Sequence, residues 1–168
     1  LFRSTILLML PISSASGNMT PFSDALFTST SAVCVTGLVV HDTATHWSMF
    51  GQFIILLLIQ VGGLGIVTLS VAMAMLAGRK ISLMQRSTLQ DAISAPKVGG
   101  IVKLTGFILK TTFLIELIGA ILLSTIFCRE FGIKGIWLGI FHSVSAFCNA
   151  GFDLMGTKAP FSSLTSYS

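Results

Sequence analysis

The sequence predicts an all-α polytopic membrane protein made of repeated helix–pore loop–helix units, with the last unit incomplete. Three observations carry that prediction. Hydrophobic residues make up 53% of the 168 and charged residues only 10%, where a soluble domain carries about a quarter charged. Two apolar stretches, 49–76 and 101–127, are long enough to cross a bilayer. Before the first and after the second lies a duplicated stretch that is too short and too polar to cross. Aligned without a gap from Phe27 and Phe141, its two copies share Phe27/Phe141, Ser29/Ser143, Ser31/Ser145, Ala32/Ala146, Cys34/Cys148 and Gly37/Gly151, six identities over twelve positions.

Taken in order, residues 1–10 read as the outer end of a span that begins upstream. A secretory signal peptide is the competing reading, with Arg3 before and small residues at 13–17 after, but its apolar core is barely long enough. Pro11 stops the segment, and residues 13–19 form a polar external turn. The sequon Asn18-Met19-Thr20 is a triplet frequent by chance. Thr20-Pro21 predicts a helix start, with Thr20 as the cap and Pro21 at the first position. A helix over 21–32 is about 18 Å long, about half the hydrocarbon thickness. It can dip in and return but not span. Residues 33–38 then lie at membrane depth without helical hydrogen bonds, where backbone survives only inside protein or lining water. The first copy alone would also fit an ordinary extracellular loop. The second copy favours the re-entrant one.

His41, Asp42 and His46 lack the further ligand a metal site needs and read as exposed loop residues, with Trp47 as an interfacial anchor. The helix predicted over 49–76 is about 42 Å long, so it must tilt, bend or protrude. Within it, Gly62-Gly63-Leu64-Gly65 marks close helix packing. It is no nucleotide-binding turn, because no strand precedes it and Thr68 stands where the last glycine should be.

The net charge of +4 is unevenly placed. Arg79, Lys80, Arg86, Lys97 and Lys103 cluster around residues 77–100, opposed only by Asp91, while residues 13–48 hold no Lys or Arg. The positive-inside rule puts the basic loop in the cytoplasm and the first copy at the outer face. These charges flank spans, which argues against nucleic-acid binding. Ser94 and Lys97 have the spacing of a nucleophile pair but lack its companion motifs.

In the second span Lys103 and Lys110 can snorkel. Glu116 lies deeper and must face protein or water, either pairing with Lys110 or a neighbouring helix or coordinating a passing cation. Residues 128–135 are expected outside, followed by a short helix over 136–147 with Trp137 near the interface, a second strip over 148–152 and a polar tail. Cys34, Cys128 and Cys148 have no metal spacing. With no nucleophile–base pair and no metal cluster, an enzyme is not expected, and no bound cofactor is.

The two strips point to ion conduction. An ion entering a membrane loses water, and a ring of carbonyl oxygens can replace that shell. The candidate ligands are the backbone of Val33, Cys34, Val35, Thr36 and Gly37 and of Phe147, Cys148, Asn149, Ala150 and Gly151. Gly37 and Gly151 can turn a carbonyl inward, and the C-terminal ends of the short helices add partial negative charge. Asp42 and Asp153, just beyond the strips, are candidate outer-mouth acids that would concentrate cations. Carbonyls without a carboxylate ring suit a weakly hydrated monovalent ion.

Ala32-Val33-Cys34-Val35-Thr36-Gly37-Leu38, then Asp42-Thr43, Gly51-Gln52 and Leu58-Ile59-Gln60-Val61-Gly62-Gly63-Leu64-Gly65, and finally Phe141–Phe152 resemble the first and second pore loops and intervening helix of the Trk/Ktr/HKT superfamily of potassium transporters, Ktr type before Trk type. The resemblance covers essentially the whole chain. It implies four such units around one potassium pore with one key glycine per strip, here Gly37 and Gly151. It also implies a multi-pass plasma-membrane homodimer on a cytoplasmic ring of nucleotide-binding regulatory subunits, with sodium a candidate coupling or activating ion. The chain would hold the end of the first unit through the pore loop of the second, and would not conduct alone. The rival expectation is a secondary transporter of another solute that uses broken helices.

Overall fold

The computed structural model describes residues 2–65, 101–157 and 163. The described elements are α1 (Phe2–Met9), α2 (Phe22–Val33), α3 (Thr43–His46), α4 (Met49–Leu64), α5 (Ile101–Phe131) and α6 (Lys134–Phe147), with 3-10 turns at Pro11–Ser13 and Met155–Thr157. The basic connection 77–100, with Ser94 and Lys97, and most of the polar tail lie outside the described residues.

The chain divides into two compact units, residues 1–63 with 116–168, and residues 64–115. In the second unit the described part is Leu64, Gly65 and α5 as far as Ile115, where Phe107, Phe113 and Leu114 stand exposed. In the first unit the core gathers around Leu8, Ala25, Ile55, Ile59, Phe141 and Phe152.

Helix lengths follow the breakers. α2 and α6 have 12 and 14 residues, about 18 and 21 Å, too short to cross a bilayer. α5 runs 31 residues. Its segment Thr105–Phe131 is long and apolar enough to cross a membrane, the one such helix among the described residues. Leu117, Ile118, Ile121, Leu122 and Ile126 lie exposed along it.

Four expectations are corrected. The helix from Met49 closes at Leu64, because Gly65 takes φ +78, outside the helical region. It has 16 residues, and residues 66–76 are not described. The segment 128–135 is not a loop. α5 continues to Phe131, and Gly132 at φ +57 turns the chain into α6 within two residues, since nothing before that glycine breaks a helix. Trp47 is 1% exposed and is a core residue, not an interfacial anchor. The chain on either side of it is tied down, with Ser14 bridging Trp47, Ala15 N–H donating to the His46 carbonyl (2.9 Å) and Ser48 N–H to that of Ser13 (2.9 Å). Finally, Pro21 is the N-cap of α2 and lies outside the helix at ψ 144, while the Thr20 hydroxyl bonds the His46 ring instead of capping.

Candidate functional site

Both copies of the duplicated stretch fold the same way. α2 ends at Val33 and α6 at Phe147, so Cys34 and Cys148 are the C-caps, at φ −82, ψ −2 and φ −76, ψ −4. The next residues, Val35 and Asn149, both sit at φ 56, and Gly37 and Gly151 at φ 71 and 74. Thr36 N–H donates to the Ser31 carbonyl (3.0 Å) and Val35 N–H to that of Ala32 (3.3 Å). Ala150 and Asn149 repeat both bonds to Ser145 (2.7 Å) and Ala146 (3.0 Å). This is the paired termination of a helix by a left-handed residue. A shared side chain closes each loop: the Ser31 hydroxyl donates to the Leu38 carbonyl (2.7 Å), and the Ser145 hydroxyl to that of Phe152 (2.6 Å).

The outcome is a strip with two unlike edges. The amides of residues 34–36 and 148–150 turn back onto their own helix. Among the described residues, the backbone carbonyls of residues 34–37 and 148–151 accept no hydrogen bond. φ alternates in sign from Cys34 to Gly37 and from Cys148 to Gly151. Of the sequence-named residues, Val33 and Phe147 are the last helical residues, and the other eight make up the strips.

The strips meet at their glycines. A Cβ on Gly37 would stand 2.6 Å from the Ala150 carbonyl oxygen and 3.2 Å from Gly151 Cα. Only glycine at positive φ permits this approach. Behind them, α4 presents Gly62 to the Val33 carbonyl and the Val35 side chain, and Gly63 to the Cys148 side chain. One glycine pair therefore backs both strips, the close packing expected of it. All three cysteines are free thiols. Cys34 is exposed and Cys148 buried, so the repeat does not make them alike.

Each short helix is stitched to the helix before it through its matching serine. The Ser29 hydroxyl bonds that of Thr5 on α1 (2.9 Å), and the Ser143 hydroxyl donates to the Glu116 carbonyl on α5 (2.6 Å) beside Gly119. The Glu116 side chain has its partner in Gln60 of α4 (2.9 Å), a neighbouring-helix pairing. Ser29, Ser31, Ser143 and Ser145 were not among the sequence-named site residues. Their signal was present, since all four belong to the identities of the repeat.

Around the strips, the acids and imidazoles are structurally occupied. Asp42 caps α3, its Oδ1 accepting from Ala44 N–H (2.9 Å) and Thr45 N–H (3.3 Å). Its carboxylate lies where a side chain on Gly156 would stand. Asp153 Oδ1 accepts from Met155 N–H (3.2 Å). Burial raises its carboxyl above the ordinary range against the pull of that amide and of His142. His142 Nε2 accepts from Leu154 N–H (3.3 Å), so Nδ1 carries the proton and donates to the Leu138 carbonyl (2.7 Å). A pocket of about 310 Å³ opens beside the second strip, lined by His142, Ser145, Asn149, Gly151, Asp153 and Ser163 among others.

His41 and His46 are not loose loop residues. Their rings stack at 4.0 Å, His41 Nε2 meets Asp24 Oδ2 at 2.8 Å, and His46 Nε2 meets the Thr20 hydroxyl at 3.2 Å. The His41 bond lowers the Asp24 carboxyl, and burial followed by the His41 charge lowers the His46 imidazole. Among the described residues no group of three His, Cys, Asp or Glu side chains is placed to hold a metal ion.

The chain matches a protein family and several individual relatives. The family model described as TrkH, cation transport protein, matches residues 2–167. The potassium/sodium uptake protein NtpJ of Enterococcus hirae is 52% identical over 89% of the chain and 34% of its own length. Ktr system potassium uptake protein B is 45% identical in Bacillus subtilis and 39% in Vibrio alginolyticus, over 89% and 92% of the chain and 33% and 34% of those proteins. The chain spans about a third of the length of these relatives.

Proposed function

The chain belongs to the TrkH family of cation transport proteins, a family of transporters rather than enzymes, and on that premise we propose that it supplies two strips of a backbone-carbonyl selectivity filter for potassium uptake across the plasma membrane. Residues 33–37 and 147–151 are the ion ligands, α2 and α6 are re-entrant pore helices, and α1, α4 and α5 belong to the flanking spans of two pore-loop repeats. The first repeat occupies residues 1–76 and the second 101–168.

One observation carries this reading. In both strips the amides of residues 34–36 and 148–150 are engaged by the preceding helix, while the carbonyls of residues 34–37 and 148–151 meet no donor among the described residues. A desolvated peptide oxygen is costly unless something meets it. A potassium ion shedding water offers that partner. The meeting of Gly37 with Gly151 supports a shared path. Leu38, Val39 and Val40 stand 60%, 39% and 41% exposed beyond the first strip, where further units of the pore would close against them.

Partners and coupling extend the same proposal. The protein works in the plasma membrane as a multi-pass homodimer, with a nucleotide-binding regulatory ring on its cytoplasmic side, as the "system" in the names of the Ktr relatives suggests. Sodium, named beside potassium in the Enterococcus hirae relative, acts as a coupling or activating ion. Asp42 serves first as a helix cap and Asp153 as the acceptor for the Met155 amide, and both add negative charge at the outer mouth.

Gly37→Ser and Gly151→Ser test it, with potassium uptake and its competition by sodium measured in cells lacking other uptake systems. A side chain at a left-handed position costs about 1–2 kcal/mol, so roughly tenfold loss of potassium preference is expected in each. Unchanged uptake and sodium discrimination in both variants would defeat the filter assignment. Saturable uptake of an organic solute would instead favour a broken-helix secondary transporter.

A further inference from the structure

Glu116 is 5% exposed in the middle of an apolar helix, and nothing in the ion path just described uses it. A buried ionisable group in a span is costly and needs a reason to be there. Its surroundings supply one. The side-chain Oε1 accepts from Gln60 Nε2 (2.9 Å), and its own carbonyl accepts from the Ser143 hydroxyl (2.6 Å). Gln60 lies one helical turn before Gly63, which is packed against the Cys148 side chain at the root of the second strip. Ser143 lies two residues before Ser145, whose hydroxyl closes the same strip onto Phe152. A single residue of α5 thus holds both elements that grip the second strip, α4 from behind and α6 from within.

The first copy has no such node. Counting back by the repeat offset, Phe2 occupies the place of Glu116, and it is 73% exposed. There the short helix is stitched through the Thr5 and Ser29 hydroxyls.

We propose that Glu116 and Gln60 form a positioning pair for the second strip: their hydrogen bond fixes α4 against α5, and so keeps Gly63 seated on Cys148 while Ser143 anchors α6 to the same turn. What matters is the bond, not a charge presented to the ion. One lost partner leaves a buried polar group unsatisfied, which costs more than the bond itself contributes. The ion-pathway consequence rests on the filter reading above. The positioning itself does not.

The test is therefore made on the strip as well as on transport. In the intact protein in membrane vesicles, N-ethylmaleimide labelling of Cys148 is followed by peptide mass spectrometry, with exposed Cys34 as the internal reference. Glu116→Ala and Gln60→Leu should each raise Cys148 labelling relative to Cys34 by about tenfold. Glu116→Gln keeps a hydrogen bond with Gln60 and should stay within about twofold of the parent. The exchange of both residues, Gln60→Glu with Glu116→Gln, should restore protection that Gln60→Leu removes. Cys148 remaining protected in both Glu116→Ala and Gln60→Leu would overturn the proposal, as would Glu116→Gln exposing Cys148 as fully as Glu116→Ala. If Cys148 becomes exposed while potassium-over-sodium discrimination is unchanged, the positioning pair stands and the second strip is not the filter.

Discussion

At the left-handed position after each short helix the first strip carries Val35 and the second Asn149, both at φ 56. Asparagine visits that region readily, whereas for a β-branched residue it is an outlier. The backbone is nevertheless the same, down to the two amide bonds onto the helix and the serine that closes the loop. The strip's shape is therefore imposed by the helix terminus and the serine, not chosen by the residue bearing the strain. What differs is support. Phe141 and Phe152 are buried to 2% exposure or less, while their counterparts Phe27 and Leu38 are 42% and 60% exposed. Within this chain the second strip is held on its faces, and the first is held mainly from behind.

The sharpest way to break that comparison is through the glycine pair on α4. A side chain at Gly62 meets a backbone carbonyl, and one at Gly63 meets a cysteine side chain. Gly62→Ala should cost several kcal/mol, in the range of overpacking a tight interior, about 1–3 or more, with no single compensating change. Gly63→Ala should be as harmful alone but be largely relieved by Cys148→Gly, which removes the clashing atoms. Thermal unfolding in detergent and uptake rate would both report it. Equal failure of the double variant would mean that Gly63 is needed for something other than room.

A smaller effect sharpens the contrast between Val35 and Asn149. Val35→Asn gives the first strip the residue of the second and should stabilise the protein by about 1 kcal/mol, the order of the left-handed penalty. Asn149→Val should cost a similar amount. Melting temperatures moving together in one direction would show that the strain does not lie at these positions.

The smallest expected effect concerns pH. The first copy alone has an imidazole cluster beside it, formed by His41 and His46. Burial and the neighbouring His41 lower the folded-state His46 value, so the stability it contributes is present above the ordinary imidazole range and is lost as pH falls through the lowered value. Asp24, lowered by its His41 bond, loses its contribution only in stronger acid, below the ordinary carboxyl range. The facing titratable groups are Asp24, His41 and His46. Stability should therefore fall first below about pH 6.5, and His46→Gln should remove that first step while leaving the acid one. A pH profile of melting temperature with both steps intact in His46→Gln would refute the assignment.

Much of the fold was legible because it is local. The Thr-Pro start placed α2 within one residue of the predicted span, and α6 lies within two residues of its predicted start. The repeat located both strips, the glycines that meet and, for a reader looking at every identity, the serines that shape them. The errors were of another kind. Trp47 was read as an anchor, His41 and His46 as exposed loop residues, and residues 128–135 as a loop, because whether a residue is buried depends on segments far away in sequence. The partner of Glu116 could not be chosen from spacing along one helix either, since Gln60 is 56 residues away.

Composition, apolar run lengths, the duplicated twelve residues and the placement of Pro and Gly are properties of neighbouring residues, and from them alone came a mostly helical chain with two short helices, each followed by a strip ending at a glycine. Which strip is sheltered, which carbonyls stay unpaired, that Gly37 faces Gly151, and that α4 backs both strips were decided only when distant segments packed. Close approach is a relation between surfaces, and no single stretch of chain contains it.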